Sequence, residues 1–254
     1  MVHFVGAGSG AADLITVRGQ RLLSEADVVI YAGSVINKDL LNYCRKNVTL
    51  YDSAEMTLEE IIGVIKEADR KGLQTVRLHS GDPSIYGAIK EQMDILEKEG
   101  IPYDVCPGVS SMSGAAASLK AEYTLPGVSQ SVIITRAEGR TAVPEGQGLS
   151  ELAKHGSTMV IFLSAGLSDK VSAELMEGGY AQDTPAAVVY KATWPQEKII
   201  RTTLGRLPQA MKEEGIEKTA LIIVGDVLDT EYELSRLYDK EFSTGFRNAG
   251  NNRE

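Results

Sequence analysis

Histidine, cysteine and tryptophan are scarce in this chain of 254 residues, numbering three, two and one. His3, His79 and His155 are scattered and offer no metal-ligand spacing, so no metal site is expected. Cys44 and Cys106 stand far apart, in neither a zinc nor a redox pattern, and are expected to be reduced, packed thiols. Basic residues are outnumbered: 26 Lys and Arg against 35 Asp and Glu leave a net charge of −9. That argues against a nucleic-acid partner, which requires a basic face to displace phosphate counterions. A local basic pocket for an anionic small molecule remains compatible with the same count. No apolar run reaches the roughly 20 residues of a membrane span. Met1 leads straight into the apolar run Val2–Val5 with no basic n-region, so neither signal peptide nor membrane partner is expected and the chain reads as cytoplasmic. A P-loop lysine signature, a Ser-His-Asp arrangement, a paired-carboxylate motif, internal repeats and low-complexity tracts are all lacking.

What is present is an ordinary globular composition, 43% hydrophobic and 24% charged, long enough for one large or two smaller α/β domains. The first half alternates short β-branched runs with longer helical patterns. Val2–Val5, Val28–Tyr31, Val48–Tyr51, Thr75–Leu78 and Tyr103–Cys106 read as strands. Leu14–Ala26, Leu58–Lys71 and Ile85–Glu99 read as helices, the last with Ile85, Ile89, Met93 and Leu96 at helical spacing. Such alternation predicts a mostly parallel sheet flanked by helices. Ser110–Lys120, rich in Ala and Ser, reads as a helix packed close to that sheet.

The polar piece Glu122–Gln130 marks a boundary, giving domains at 1–121 and 122–240 and a tail at 241–254. In the second domain Ser131–Thr135, Thr158–Leu163, Ala186–Tyr190, Lys198–Thr203 and Ala220–Val224 read as strands. Ser168–Glu177 and Leu207–Glu214 read as helices, so a mixed α+β sheet is expected. Glu138–Gln147 is a loop too polar for core, and the last residues of the tail are expected to fray.

Three loops at strand ends carry the chemistry. Gly6–Ala11 fits G-x-G-x-x-[GA] between a strand and a helix, the setting of a dinucleotide-binding fingerprint. That fingerprint also wants an acid at the far end of the second strand, where this chain has Tyr31-Ala32-Gly33; Asp27 sits at the wrong end. Leu78–Gly87 (L-H-S-G-D-P-S-I-Y-G) closes a strand and is expected to open a helix. There Gly81 permits close approach to the backbone, Asp82 is a candidate N-cap, and Pro83 suits a first helical turn. Pro107–Ser111 (P-G-V-S-S) repeats the arrangement and brings two hydroxyls to a helix start, where serine capping alone could account for them. His79 has no readable partner that would make it a general base. In the second half, Thr135–Thr141 ends a strand with Arg136 and Arg140, and Tyr190–Pro195 ends another with Lys191 and Trp194. Each is an ordinary solvated strand end by itself; together they suit a flat polycarboxylate.

Taken in order and spacing, V-G-A-G-S-G, L-H-S-G-D-P-S-I-Y-G and P-G-V-S-S resemble the motifs of the tetrapyrrole methylases, over nearly the whole chain from Val2 to about Arg247. Ser9 departs from the V-G-x-G-P-G pattern of that family. The resemblance implies a two-domain α/β methylase fold with its ligand cleft between the domains. It implies S-adenosylmethionine (SAM) as cofactor, a tetrapyrrole substrate and a homodimer. The cofactor contacts it implies are Ser9, Ser80, Gly81, Asp82, Pro83, Ile85, Tyr86, Ser110, Ser111, Leu163, Ala187 and Ala220, with Ile85 and Tyr86 at the methyl-transfer end. Arg136, Arg140, Lys191, Trp194 and Arg201 are the candidates for binding the carboxylates of such a substrate. No catalytic acid or base is expected beyond a role for Tyr86, because alignment suffices for transfer from a sulfonium. Within the family, Leu78–Gly87, Val128–Thr141, Thr158–Ala165, Val188–Lys198 and Leu237–Arg247 point to methylation of carbon 11 of precorrin-4 or cobalt-precorrin-4. Other readings are methylation of another corrin carbon, of diphthine or of an RNA ribose, an NAD-dependent oxidoreductase built on Gly6–Ala11, and a non-catalytic ligand-binding regulator.

Overall fold

β-Branched runs separated by amphipathic helices produce the expected parallel sheet. In the computed structural model, which describes residues 1–250, β1 (Val2–Gly6), β2 (Val28–Tyr31), β3 (Thr49–Asp52), β4 (Thr75–His79) and β5 (Tyr103–Cys106) lie in the order β3-β2-β4-β1-β5. All four neighbouring pairs are parallel. Residues 251–254, part of the tail for which fraying is expected, lie outside the described residues.

Both faces of this sheet are covered, as parallel strands require. On one face Val5, Val29, Val76 and Leu78 pack with Leu22 and Leu23 of α1 (Val17–Glu25). On the other, Val2, Phe4, Val28 and Ile30 meet Ile61, Ile62 and Ile65 of α2 (Leu58–Arg70) and Leu96 of α3 (Lys90–Lys98). A capping box starts α2: the Thr57 amide donates to Glu60 Oε2 at 2.7 Å, and the Glu60 amide donates to Thr57 Oγ1 at 3.3 Å. The chain leaves β1 toward β2 and leaves β4 toward β5, in opposite directions along the sheet. The switch point, where open α/β sheets place their ligands, therefore lies between β1 and β4.

One helix starts later than its spacing predicts. α3 begins at Lys90, not Ile85, and Pro83 is not in its first turn. Asp82 Oδ1 accepts the Ser84 amide at 2.9 Å, and the Asp82 carbonyl accepts the Ile85 amide at 3.2 Å. This side-chain-to-backbone turn competes with helix. Tyr86 and Ala88 then take left-handed backbone, with φ of 55° and 50°. Asp82 is thus a turn former and not the N-cap of α3.

The second sheet contains β6 (Val132–Arg136), β7 (Thr158–Phe162), β8 (Pro185–Tyr190), β9 (Lys198–Thr203) and β10 (Ala220–Val224) in the order β6-β7-β10-β8-β9. β6 and β7 are parallel and β7 and β10 antiparallel, so the sheet is mixed. Its buried side chains include Met159, Ile161, Ile222 and Val224, with Val171 and Leu175 from α6 (Ser168–Glu177) and Leu207 and Met211 from α7 (Leu207–Glu213). A short helix that the pattern did not reveal, Leu149–Ala153, lies between β6 and β7. The chain forms two compact units. Met1–Lys120 with Val189–Ile199 and Lys218–Leu221 make the first, and the remaining described residues make the second. No helix among the described residues is long and apolar enough to cross a membrane.

His79, the last residue of β4, is buried, and its Nε2 has no hydrogen-bond partner among the described residues. Burial, and then the charge of Arg77, push the imidazole down to about 3, so the ring is neutral at neutral pH. Its folded pKa lies below the unfolded value, so the unfolded chain binds the proton first. The resulting stability is complete above about pH 6.5 and is lost as pH falls toward 3, at about 1.4 kcal/mol per pH unit. Unfolding in urea at pH 7 and pH 5 should show about 2 kcal/mol of acid sensitivity from this residue. His79→Leu should remove it; an unchanged difference between the two pH values would contradict the assignment.

Candidate functional site

The loops after β1, β4 and β5 meet glycine against glycine. Gly8 and Gly81 form a two-way backbone bridge, with N–O distances of 2.9 and 3.3 Å. A Cβ on Gly108 would lie 2.2 Å from the Gly81 carbonyl oxygen and 2.7 Å from Gly6 Cα. Asp82 ties the junction together: Oδ2 accepts the Gly108 amide at 2.8 Å, while Oδ1 takes the Ser84 amide and hydroxyl. Burial by itself would raise the Asp82 carboxyl. Hydrogen bonds from Ser84 and the Gly108 amide outweigh that effect and lower it, so it stays ionised below the usual carboxylate range. Such an acid accepts hydrogen bonds and does not relay protons at neutral pH.

Around this junction Ser80 is exposed, Pro83 is buried and Ile85 is half-buried. Tyr86, on its left-handed backbone, is 45% exposed. Ser110 caps α4 (Ser111–Leu119) by accepting the Met112 amide at 3.4 Å, and Ser110 and Ser111 are both half-buried. Helix capping and ligand contact are therefore both open to these serines.

The glycine loop after β1 is filled by protein. A Cβ on Gly10 would lie 2.1 Å from Trp194 Cδ1, and Asn37 Nδ2 donates to the Gly10 carbonyl at 3.1 Å. The 3-10 turn Ala12–Leu14 separates the loop from α1, whose N-cap is Thr16. A dinucleotide pyrophosphate needs a glycine loop leading directly into a helix N-terminus. Here the glycines serve close packing of the chain on itself, so the oxidoreductase reading loses its site.

Several expected contacts belong to this first unit: Ser9, Ser80, Gly81, Asp82, Pro83, Ile85, Tyr86, Ser110, Ser111, Lys191, Trp194 and Ala220. Lys191 Nζ lies 5.3 Å from the Trp194 ring centre and 5.5 Å from that of Tyr190. Ala220 opens β10 and is half-buried. Arg136, Arg140, Leu163, Ala187 and Arg201 belong to the second unit. Leu163, just past β7, has a left-handed backbone (φ 53°) and is 71% exposed. Ala187 is wholly buried in β8, an interior strand. Arg136 gives its guanidinium to three carbonyls, those of Ala137, Thr141 and Ala142, at 2.7–3.3 Å, and so holds the loop beyond β6. Arg140 is exposed, and Arg201 Nη1 donates to the Leu228 carbonyl at 3.3 Å. No cluster of metal-ligating side chains occurs among the described residues.

Residues 1–208 match the family model of the tetrapyrrole (corrin/porphyrin) methylases. The chain belongs to this family. Among its relatives, a cobalt-precorrin-4 C(11)-methyltransferase of Methanocaldococcus jannaschii is 57% identical over 98% of this chain and 96% of its own length. A precorrin-4 C(11)-methyltransferase of Mycobacterium tuberculosis is 47% identical over 91% of this chain and 92% of its own. The X-ray structure of the cobalt-precorrin-4 methyltransferase CbiF superposes with a TM-score of 0.88 at 48% identity, covering 90% of this chain and 96% of that one. The uroporphyrin-III C-methyltransferase of Thermus thermophilus complexed with S-adenosylhomocysteine gives 0.75 at 26% identity, covering 89% and 98%.

Within this tetrapyrrole methylase, the sequence did not single out Thr193, Glu197, Ser118 or Asn37. All four act on the glycine loop or on the Lys191–Trp194 turn, through partners up to 184 positions away. Their signal was limited to Thr193 and Glu197 lying inside the Val188–Lys198 stretch. No local pattern marks Ser118 or Asn37.

Proposed function

We propose that this methylase transfers a methyl group from SAM to carbon 11 of precorrin-4 or cobalt-precorrin-4. The observation that carries the choice of carbon is the near-full-length identity to relatives bearing that name. Those relatives act on the cobalt-free or the cobalt form by their names, and the proposal covers both.

The junction after β1, β4 and β5 fits a compact polar ligand such as SAM. Gly81 carries no Cβ to fend off a ligand, Ser80 is exposed, and Ser110 and Ser111 present half-buried hydroxyls. In this reading those groups hold SAM, Asp82 fixes the loop that carries them, and Ile85 and Tyr86 line the reacting end. Leu163, Ala187 and Ala220 are the further contacts that the family resemblance suggests, with Ala187 limited to backbone atoms by its burial. Bound SAM supplies a sulfonium methyl already activated for displacement by an electron-rich carbon. The residues of the chain then bind, orient and exclude water, effects that account for large rate gains without a covalent step.

Lys191 and Trp194 offer a cation and an aromatic face to a flat polycarboxylate; Arg140 and Arg201 are the further substrate contacts that the sequence suggests. Arg136 contributes by holding the 137–142 loop. The same reading has the enzyme working in the cytoplasm as a homodimer. Methyl transfer itself is the test: incubation with methyl-labelled SAM and precorrin-4 should add one labelled methyl to the tetrapyrrole. Tight binding of NAD with no transfer would reject the proposal.

A further inference from the structure

The turn after β8 is held more firmly than a surface turn requires. Lys191 and Thr193 both have left-handed backbone, with φ of 48° and 66°. For a β-branched residue such as Thr193 this is a marked outlier, and it persists only where the surroundings over-determine it. Those surroundings lie within the first unit. Thr193 Oγ1 accepts the Ala11 amide at 3.0 Å and shares a hydrogen bond with the buried Ser9 hydroxyl, also at 3.0 Å. The Thr193 amide donates to Glu197 Oε2 at 2.5 Å, and the same oxygen accepts from Ser118 Oγ at 2.6 Å. The Trp194 amide closes the turn on the Lys191 carbonyl at 3.0 Å, and Lys191 lies over the Trp194 ring. Gly114 of α4 leaves the space: a Cβ there would lie 2.6 Å from Ser9 Cβ and 3.2 Å from Thr193 Cγ2.

We propose that Thr193 is a positioning residue for substrate recognition, its hydroxyl clamping the turn so that Lys191 and Trp194 are preset for a flat polycarboxylate. The proposal rests on the methylase reading above. Clamping removes conformational freedom before the ligand arrives, and such freedom is otherwise lost on binding. Glycine adopts that backbone at no steric cost, so what threonine adds at this position is its hydroxyl and the two hydrogen bonds that it makes.

Thr193→Gly separates the two roles, since it relieves the backbone and deletes the hydroxyl. Trp194 is the only tryptophan, so its fluorescence reports the turn directly. With no ligand present, the variant should show greater acrylamide quenching than wild type while still unfolding cooperatively in urea. Its affinity for precorrin-4, titrated under anaerobic conditions without SAM, should fall about tenfold, the scale of one or two lost hydrogen bonds. Its affinity for S-adenosylhomocysteine should stay within about twofold of wild type, a change well under 1 kcal/mol. Thr193→Ser should restore both quenching and precorrin-4 affinity.

Unchanged quenching in Thr193→Gly would overturn the clamp. Raised quenching with unchanged precorrin-4 affinity would overturn its role in recognition. A wild-type chain that binds neither precorrin-4 nor S-adenosylhomocysteine would instead reject the methylase reading, and the proposal with it.

Discussion

Gly108→Ala is expected to abolish detectable binding of S-adenosylhomocysteine and to destabilise the fold by about 3 kcal/mol, the upper part of the usual range for overpacking. The new methyl group would sit 2.2 Å from the Gly81 carbonyl oxygen and 2.7 Å from Gly6 Cα. Both are backbone atoms at the ends of packed strands, so neither can swing aside as a side chain would. Relief would require the loops after β1, β4 and β5 to separate, which breaks the Gly8–Gly81 bridge and the Asp82–Gly108 bond together. Gly63→Ala is the matched control. A Cβ at Gly63, within α2, meets nothing within 4 Å, and alanine there should stabilise by up to about 1 kcal/mol through helix propensity. Calorimetric titration and urea unfolding of both variants check the pair. Similar behaviour of the two would show that the junction does not matter.

Asp82→Ala should weaken S-adenosylhomocysteine binding about 100-fold, near 2.7 kcal/mol. It removes acceptors for the Gly108 amide, the Ser84 amide and the Ser84 hydroxyl at once. Bonds to an ionised acceptor are the stronger kind, and a part-buried amide left without a partner keeps its desolvation cost. Asp82→Asn keeps one carbonyl oxygen but turns an amide donor toward one of these N–H groups, so an intermediate loss is expected. In both variants KM for SAM should rise more than kcat falls, because the carboxylate shapes the loop. A collapse of kcat with binding intact would instead assign Asp82 a proton-transfer role.

Much of this was readable from the amino-acid pattern, for physical reasons. A run such as Val28–Tyr31 is a strand buried along nearly all its length, so hydrophobicity alone marks it, and the alternation of strands with amphipathic helices implies a parallel sheet. The α/β architecture and the methylase family followed from motif order along the chain. Local competition was harder to see. Ile85 and Ile89 keep helical spacing, yet the Asp82 side chain captures the Ser84 amide and the backbone turns left-handed at Tyr86 and Ala88, which delays α3 to Lys90. Long-range polar partners were hidden altogether. Nothing near Ser9 or Thr193 reveals that their hydroxyls meet across 184 positions, or that Arg136 spends its donors on the next loop. Such bonds depend on tertiary placement, which periodicity does not encode.

The proposed reaction forms one carbon–carbon bond. Incubating the enzyme with SAM carrying a ¹³C-labelled methyl group and with precorrin-4 or cobalt-precorrin-4, then locating the label by NMR, tests it most directly. A single labelled methyl at carbon 11 is expected. Label at any other carbon, or no label in the tetrapyrrole at all, would contradict it.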